Sequence, residues 1–391
     1  MSQDSARAID GDATATDGEY RHLYVHVPFC ARRCSYCDFA IAVRRTTPVD
    51  EYVAALRGEL ELRLGPGETR GEIDTLYLGG GTPSRLGPDG VAAVLSAIRR
   101  HFDLSPGAEV TVEANPENLD EATAARWREA GVNRVSLGVQ SFDPSVLAWM
   151  HRTHDVDAVY AAADALLKSG FANWSLDLIY ALPPEVKREW SRDLSAALAL
   201  DPPHISAYGL TVEGGTPLAR WRSRGEVHEA DEERFEAEFL EAHDRLAEAG
   251  YLHYEVSNWG RAGCESRHNS SYWRHVPYLG VGPGAHGFDG RVRRWNEREY
   301  SRWKARVLDR REDPVGGEEV LSETERMLES VYVGLRTRSG VVVSPGDAAV
   351  IDPWVKHGWG TIDEDRLRLS PRGWLRLDAL VAALTEHRSR Y

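Results

Sequence analysis

The feature that most constrains the fold is an alternation of short β-rich runs with amphipathic helical stretches across residues 22–212. Strands separated by helices of this length predict right-handed β–α–β units and a parallel sheet. Six such units are too few to close an eight-fold barrel, so the pattern predicts an α/β fold with an open or partial barrel. The predicted strands are 22–29, 73–78, 109–114, 134–139, 174–181 and 204–210.

Helical stretches fill the intervals between these strands, and a strongly charged helix follows them. In parallel sheets of this kind, ligands bind beyond the carboxyl ends of the strands. Most of the motifs described below lie at or just after those ends, which predicts one shared site. The predicted helices are 49–64, 91–101, 121–130, 156–169, 185–200 and 231–249.

Outside the alternating region the chain changes character. Residues 1–20 are polar and acidic, which predicts a disordered lead and argues against a secretory signal. A connecting region at 256–319 is rich in Gly, His and aromatic residues. From 320 to 391, two helical segments precede an alternating run and a final amphipathic helix, which predicts a smaller α+β, winged-helix-like domain.

Three cysteines, Cys30, Cys34 and Cys37, cluster in FCARRCSYCDF directly after the first predicted strand. Thiolates are the soft ligands that iron–sulfur clusters and zinc prefer. Structural zinc sites usually use four ligands in two separated C-x2-C pairs, and the sequence has no second pair. The spacing therefore favours a [4Fe-4S] cluster with one open iron. A zinc site completed by a nearby His, or unligated core cysteines, are the alternatives.

Two further motifs follow the second and third predicted strands. Gly80, Gly81 and Thr82 lie in LGGGTPS, where glycines allow close approach of a ligand and can present N–H groups to a carboxylate. The third strand ends at Glu113, whose carboxylate can accept hydrogen bonds from ribose hydroxyls. A solvated Glu at a strand end is the alternative for this position.

The fourth and fifth predicted strands also carry polar side chains toward the same edge. Gln140 ends the fourth strand, in GVQSF. In SLDLIYALP, Asp177 interrupts what reads as an apolar buried strand. A lone carboxylate in such a strand is costly unless it is paired or faces a ligand, so we expect Asp177 to face the site.

Together, HVPFCxxxCxYCDF, GGGTP, VEANP, GVQSF, MxRxH and DLIYALP resemble one branch of the radical S-adenosylmethionine (SAM) superfamily. That branch contains the anaerobic coproporphyrinogen III dehydrogenases and the HemW-type haem chaperones. The likeness covers about residues 22–385. It implies a partial (β/α)6 radical SAM barrel at 21–255, a [4Fe-4S] cluster on the three cysteines, SAM as cofactor, and a porphyrin-associated role for 256–319.

The resemblance also implies roles for individual residues. Tyr24 would lie beside SAM and Tyr36 would stack near it. The amino acid end of SAM would be held by Gly80, Gly81 and Thr82, and its ribose by Glu113. The positions that would shape the same neighbourhood are Gln140, Arg152 and Asp177.

Two departures favour the chaperones over the dehydrogenases. The dehydrogenases carry a fourth cysteine two residues after the third, where this chain has Phe39. They also have a longer N-terminal extension. In addition, HNSSYW fits the HNxxYW pattern of the HemW-type proteins, in which His268 would offer an imidazole to haem iron. The alternative is that His268 satisfies a loop.

The sequence thus predicts a haem chaperone that transfers haem to an acceptor protein, with an electron donor as a further partner. An oxygen-independent coproporphyrinogen III dehydrogenase and a zinc protein are the rival hypotheses. Net charge −14 argues against nucleic acid binding. No apolar run is long enough to span a bilayer, and the cysteine usage indicates a reducing compartment, the cytoplasm. The fourth thiol, Cys264, reads as a small buried hydrophobe.

Overall fold

The computed structural model describes residues 20–65 and 71–390. The predicted disordered lead lies outside these residues, except for Tyr20. The strands are β1 (His22–Val27), β2 (Phe29–Cys30), β3 (Ala42–Val43), β4 (Glu72–Gly80), β5 (Asp103–Ala114), β6 (Arg134–Gln140), β7 (Trp174–Tyr180), β8 (His204–Gly209), β9 (Leu252–Glu255), β10 (Asn258–Gly260), β11 (Leu279–Val281), β12 (His286–Phe288), β13 (Val292–Asn296), β14 (Val315–Val320), β15 (Val341–Val342), β16 (Gly360–Asp363) and β17 (Arg366–Leu369).

Helices connect the strands of the first half and dominate the end of the chain. They are α1 (Val49–Leu64), α2 (Gly87–Ile98), α3 (Glu121–Ala130), α4 (Pro144–Trp149), α5 (Val156–Lys168), α6 (Trp190–Ala199), α7 (Pro217–Ser223), α8 (Glu232–Glu248), α9 (Arg267–Trp273), α10 (Tyr300–Lys304), α11 (Glu323–Leu335), α12 (Ala348–Lys356), α13 (Pro371–Trp374) and α14 (Leu377–Arg388). None of the helices in the described ranges combines the length and hydropathy that a membrane span requires.

The centre of the molecule is a nine-stranded sheet in the order β11-β1-β4-β5-β6-β7-β8-β10-β9. Strands β1, β4, β5, β6, β7 and β8 are parallel neighbours, as predicted. Strand β11 adds to β1 in parallel, whereas β10 and β9 continue the other edge antiparallel. The sheet therefore has two edge strands, β11 and β9, and does not close on itself. This is the partial barrel that the six units predict.

Predicted and observed helix bounds agree for α1 and α3, and the largest difference at a single helix end is at the start of α6. The structure begins α6 at Trp190, whereas the sequence pattern places its start at 185. The preceding turn is held by Arg188, which donates to the Ile179 carbonyl oxygen (2.8 Å) and to Glu238 (2.8 Å). A buried tertiary ion pair thus replaces the first turn of the predicted helix.

The strands of the barrel bury one face against the helices and turn the other inward. In β6, Val135, Leu137 and Val139 are fully buried in the main hydrophobic core. Because successive side chains of a strand point to opposite faces, the residues between them face the barrel interior. This alternation brings polar side chains of several strands into one internal space.

The glycine-rich segment before β12 is fastened to α1 by a buried carboxylate. Glu59 is completely buried and accepts hydrogen bonds from Gly282 N (2.9 Å), Asn296 Nδ2 (2.6 Å) and Trp303 Nε1 (2.8 Å). Strands β12, β13 and β14 then form a separate antiparallel sheet. Glu59 therefore ties the connecting region to the barrel.

The last part of the chain contains helices α11 to α14 and a three-stranded antiparallel sheet, β15-β17-β16. The Trp374 indole donates to the Leu335 carbonyl oxygen (3.0 Å), which joins α13 to α11. Arg336 forms an ion pair with the buried Glu255 of β9 (3.2 Å), which joins this part to the barrel edge. The domain boundaries at 255, 319 and 320 stay predictions.

Candidate functional site

A cavity of about 470 Å³ occupies the barrel interior and opens at the carboxyl ends of the parallel strands. Its wall combines the cysteine loop, the ends of β4, β5 and β6, and inward residues of β7 and β8. The structure therefore brings most of the predicted site residues together. Those that line the cavity are Cys30, Cys34, Tyr36, Cys37, Gly80, Gly81, Thr82, Glu113, Gln140, Arg152 and Asp177.

The three clustered cysteines are free thiols at the mouth of this cavity. Cys30 ends β2 and its Sγ lies 3.5 Å from Thr82 Oγ1. In the described part of the chain, no three His, Cys, Asp or Glu side chains lie close enough to hold a single metal ion. Thiolates are the soft ligands that iron–sulfur clusters prefer, so the chemistry of this donor set fits such a cluster.

Arg152 connects the cysteine loop to the strand ends. Its Nη1 lies 3.5 Å from Cys34 Sγ, while its Nη2 donates to Asn115 Oδ1 (2.7 Å) and to the Gly138 carbonyl oxygen (2.8 Å). The guanidinium group is thus oriented by protein contacts before any ligand binds. It places a fixed positive charge beside the thiols.

The glycines after β4 allow this strand end to pack against the segment that leads to Cys30. Gly80 has a φ of +112°, and a Cβ added there would lie 2.5 Å from the His26 ring. A Cβ on Gly81 would lie 2.6 Å from the Pro28 backbone. Any larger residue at either position would clash with the segment that leads to Cys30.

The amides of these glycines are already used within the protein. The N–H of Gly80 donates to Glu113 Oε2 (2.9 Å), and that of Gly81 donates to the Val27 carbonyl oxygen (2.8 Å). Without a ligand both amides are therefore paired within the protein, and the expectation that they hold a ligand carboxylate stays a prediction. Their role is close packing, which the absence of a side chain makes possible.

Glu113 lies at the junction of the cavity and the aromatic packing beside it. Besides the Gly80 amide, it accepts a hydrogen bond from the Tyr77 hydroxyl (2.8 Å). Burial raises the pKa of Glu113 to about 7, although these two hydrogen bonds oppose the shift. Gln140 also reaches the cavity, from a left-handed backbone (φ +70°) that ends β6.

Asp177 lies on the floor of the cavity, as expected. The inward face of its strand is polar at other positions too. Ser175 of the same strand and Ser136 and Ser206 of the neighbouring strands line the same cavity. The Ser136 hydroxyl donates to Asp177 Oδ2 (2.9 Å). Burial raises the pKa of Asp177, and the serine hydroxyls partly offset the rise. The carboxylate is therefore paired with hydroxyl groups rather than isolated.

Sequence reasoning missed Arg134, which lies deep in the same cavity and is 2% exposed. Its Nη1 donates to Asn173 Oδ1 (2.6 Å) and to the carbonyl oxygen of Cys264 (3.0 Å). A signal was available, because Arg134, Ser136 and Gln140 alternate with apolar residues along β6. Period-two alternation of this kind indicates a strand with one polar face.

Two predicted residues, Tyr24 and His268, are not in the cavity wall. They belong to an aromatic stack beside it, in which the His268 ring lies 5.1 Å from that of Tyr77, and the Tyr77 ring lies 6.1 Å from that of Tyr24. The Tyr24 hydroxyl is hydrogen-bonded to His26 Nδ1 (3.1 Å). Tyr24 is thus one layer of side chains away from the cavity.

His268 is completely buried, and both its ring nitrogens have partners. Nδ1 is hydrogen-bonded to Thr75 Oγ1 (2.7 Å) and Nε2 to the Tyr272 hydroxyl (2.8 Å). Burial lowers the pKa of His268 to about 3. The geometry supports the alternative of a structural histidine, since a haem iron could not reach either nitrogen here. The neighbouring Asn269 lines the cavity instead.

Comparison with known proteins adds independent findings. The family model described as the radical SAM superfamily matches residues 24–197. The chain is 40% identical to the haem chaperone HemW of Mycobacterium tuberculosis, with 93% of this chain and 94% of that protein covered. It is 36% identical to the haem chaperone HemW of Escherichia coli, with 74% and 78% covered.

A solved structure shares the fold. The coproporphyrinogen III oxidase HemN of Escherichia coli, described as a radical SAM enzyme, superimposes with a TM-score of 0.79. The superposition covers 93% of this chain and 89% of that protein, at 21% sequence identity. This likeness confirms the predicted fold class.

Proposed function

The chain belongs to the HemW family of radical SAM proteins, and from this premise we propose that it is a haem chaperone, which binds haem and transfers it to an acceptor protein. The match that carries this proposal spans almost the full length of both proteins. Phe39 supports it too, because the resembling dehydrogenases have a fourth cysteine at this position.

Family membership implies a [4Fe-4S] cluster and SAM as cofactors. Cys30, Cys34 and Cys37 would hold the cluster, with the Arg152 guanidinium group beside Cys34. Glu113 would accept hydrogen bonds from SAM in place of those it now receives. When bound, the cluster and SAM would supply one-electron chemistry. This chemistry needs an electron donor, which is a further proposed partner.

The chain's own residues prepare this space for the cofactors. Gly80 and Gly81 keep the cysteine loop against the barrel, so the thiols face the cavity. Ser136, Ser175 and Asp177 make the floor polar. Because free thiols persist in a reducing compartment, we place the protein in the cytoplasm.

The test is anaerobic reconstitution with iron and sulfide, followed by two parallel assays on the same protein. Haem uptake would be followed by the Soret absorbance, and release by transfer of haem to an apo-form of a haem-requiring acceptor. Conversion of coproporphyrinogen III to protoporphyrinogen IX would be measured beside them. We expect uptake and transfer without conversion. Clear turnover of coproporphyrinogen III would establish the rival dehydrogenase activity.

A further inference from the structure

The structure leaves the position of haem open, because the residue that the sequence singled out is inaccessible. His268 is completely buried and hydrogen-bonded at both nitrogens. The cavity must also accommodate the cluster and SAM, so a porphyrin needs a surface outside it. That surface should be apolar and flat, and it should carry cations for the two propionate groups of haem.

The mouth of the cavity presents an unusually exposed aromatic side chain. Phe39 follows the last cluster cysteine, borders the cavity and is 61% exposed. Ile41 borders the same mouth, and Val43 nearby is 45% exposed. A single exposed hydrophobe is ordinary, but a group at the entrance of a site indicates a binding surface.

Two arginines precede this group in the chain and two follow it directly after β3. Arg32, Arg33, Arg44 and Arg45 are exposed, and none of them forms an ion pair with a carboxylate of the described residues. Arg33 and Arg44 donate only to backbone carbonyl oxygens, those of Cys37 (3.1 Å) and Val43 (3.0 Å). This local excess of positive charge lies in a chain of net charge −14.

Two carboxylates line the mouth, and neither forms an ion pair with these arginines. Asp38 and Glu213 line the cavity and are exposed. Arg298 donates a hydrogen bond to the backbone oxygen of Asp38 and not to its carboxylate. The balance of charge on the loop stays positive and suits a dianionic ligand.

We propose that haem docks flat against Phe39 at the mouth of the barrel, with its propionates paired to Arg32, Arg44 and Arg45. The assignment rests on the proposed chaperone function. The proposal gives a physical role to Phe39, which stands where the dehydrogenases have a fourth cysteine. An aromatic ring there offers an apolar face to a porphyrin, whereas a cysteine offers a further ligand.

The experiment is a haem titration of the reconstituted protein, read by the Soret band, on matched variants. Phe39→Ser removes the apolar face and Phe39→Trp retains it. The triple variant Arg32→Glu, Arg44→Glu, Arg45→Glu reverses the charge.

Two control variants change exposed residues elsewhere on the protein. Val320→Ser replaces a hydrophobic residue that is 59% exposed, and the double variant Arg310→Glu, Arg311→Glu reverses the charge of two adjacent exposed arginines. His268→Gln tests the competing site. Iron and sulfide content reports whether each variant keeps its cluster.

We expect Phe39→Ser and the triple variant each to weaken haem binding by about tenfold or more. A change of this size is typical of losing one aromatic or charged contact with a ligand. Phe39→Trp, His268→Gln and both controls should bind within about twofold of wild type. High salt should weaken wild-type uptake but should not weaken uptake by the triple variant, in which salt screens a repulsion between the propionates and the introduced carboxylates.

Normal haem uptake by Phe39→Ser, with wild-type cluster content, would overturn the assignment while leaving the chaperone function intact. So would loss of uptake in His268→Gln alone. Normal haem uptake by the triple variant would likewise overturn the pairing of the propionates with these arginines. Failure of wild-type protein to take up any haem would refute the chaperone function and this proposal with it.

Discussion

The two halves of the barrel interior differ in how their inward side chains are satisfied. On β6 and β7, Ser136, Ser175 and Asp177 turn polar groups toward the open cavity. Beside β1 and β4, aromatic rings fill the space, with Tyr77 and His268 stacked 5.1 Å apart. The first half leaves room for ligands, whereas the second is closed by its own packing.

This difference shows why residue type alone does not identify a ligand site. A histidine and a serine are both potential ligand contacts, but the serines face an open cavity, and His268 is enclosed by Thr75, Tyr77 and Tyr272. The closed half supports the open one, because Tyr77 also donates a hydrogen bond to Glu113 at the boundary. We expect substitutions in the open half to affect cofactors and those in the closed half to affect stability.

The largest expected effect is loss of the cluster from the open half. Cys30→Ala removes one of the three proposed cluster ligands, and the remaining free thiol of the described residues, Cys264, does not line the cavity. After anaerobic reconstitution, iron, sulfide and the visible absorbance of the cluster should fall almost to background. Cys264→Ala is the matched control, and it should keep full cluster content. Equal losses in both variants would show that Cys264 is a ligand and that the three-cysteine assignment is incomplete.

Next in size is a loss of stability in the closed half. His268→Ala deletes a fully buried ring with two hydrogen bonds, which should lower the free energy of unfolding by about 3 kcal/mol. Its neighbour Asn269 faces the cavity, so Asn269→Ala should change stability by less than about 1 kcal/mol. Urea unfolding of cluster-free protein measures both. A His268→Ala variant as stable as wild type would contradict the division of the interior.

The smallest expected effect is a pH dependence at the boundary between the halves. Burial raises the pKa of Glu113 from its ordinary value of 4.5 to about 7. The folded protein therefore keeps this proton over a range in which the unfolded chain has lost it. Stability from this group is fully present below pH 4.5 and is lost as pH rises toward 7.

Glu113→Gln should remove that pH dependence. Because the side chain borders the cavity, the loss in wild type should amount to only about 1–2 kcal/mol between pH 5 and pH 8. The difference in unfolding free energy between variant and wild type should therefore grow in favour of Gln as pH rises. Unfolding at several pH values in this range measures it. A difference independent of pH would mean that Glu113 titrates in the folded protein as it does in the unfolded chain.

Much of the site was predictable because the carboxyl ends of neighbouring parallel strands lie together at the same end of the barrel. Glu113 and Gln140 were found this way, and both line the cavity. Arg134 was equally visible in the alternation of β6 but was not used. His268 could not be placed, because α9 reaches the barrel only in the folded chain, where Glu109 accepts the backbone N–H groups of Arg267 (3.1 Å) and His268 (2.9 Å).

The sequence by itself determined the order of strands and helices and the three-cysteine loop, since these depend on periodicity and on spacing along the chain. Only the tertiary structure decided which polar residues are open to a ligand, because burial depends on neighbours distant in the chain. His268 and Thr75 are 193 residues apart and yet hydrogen-bonded. Phe39 shows the converse, because only the folded chain reveals that its ring stays exposed beside the cysteines.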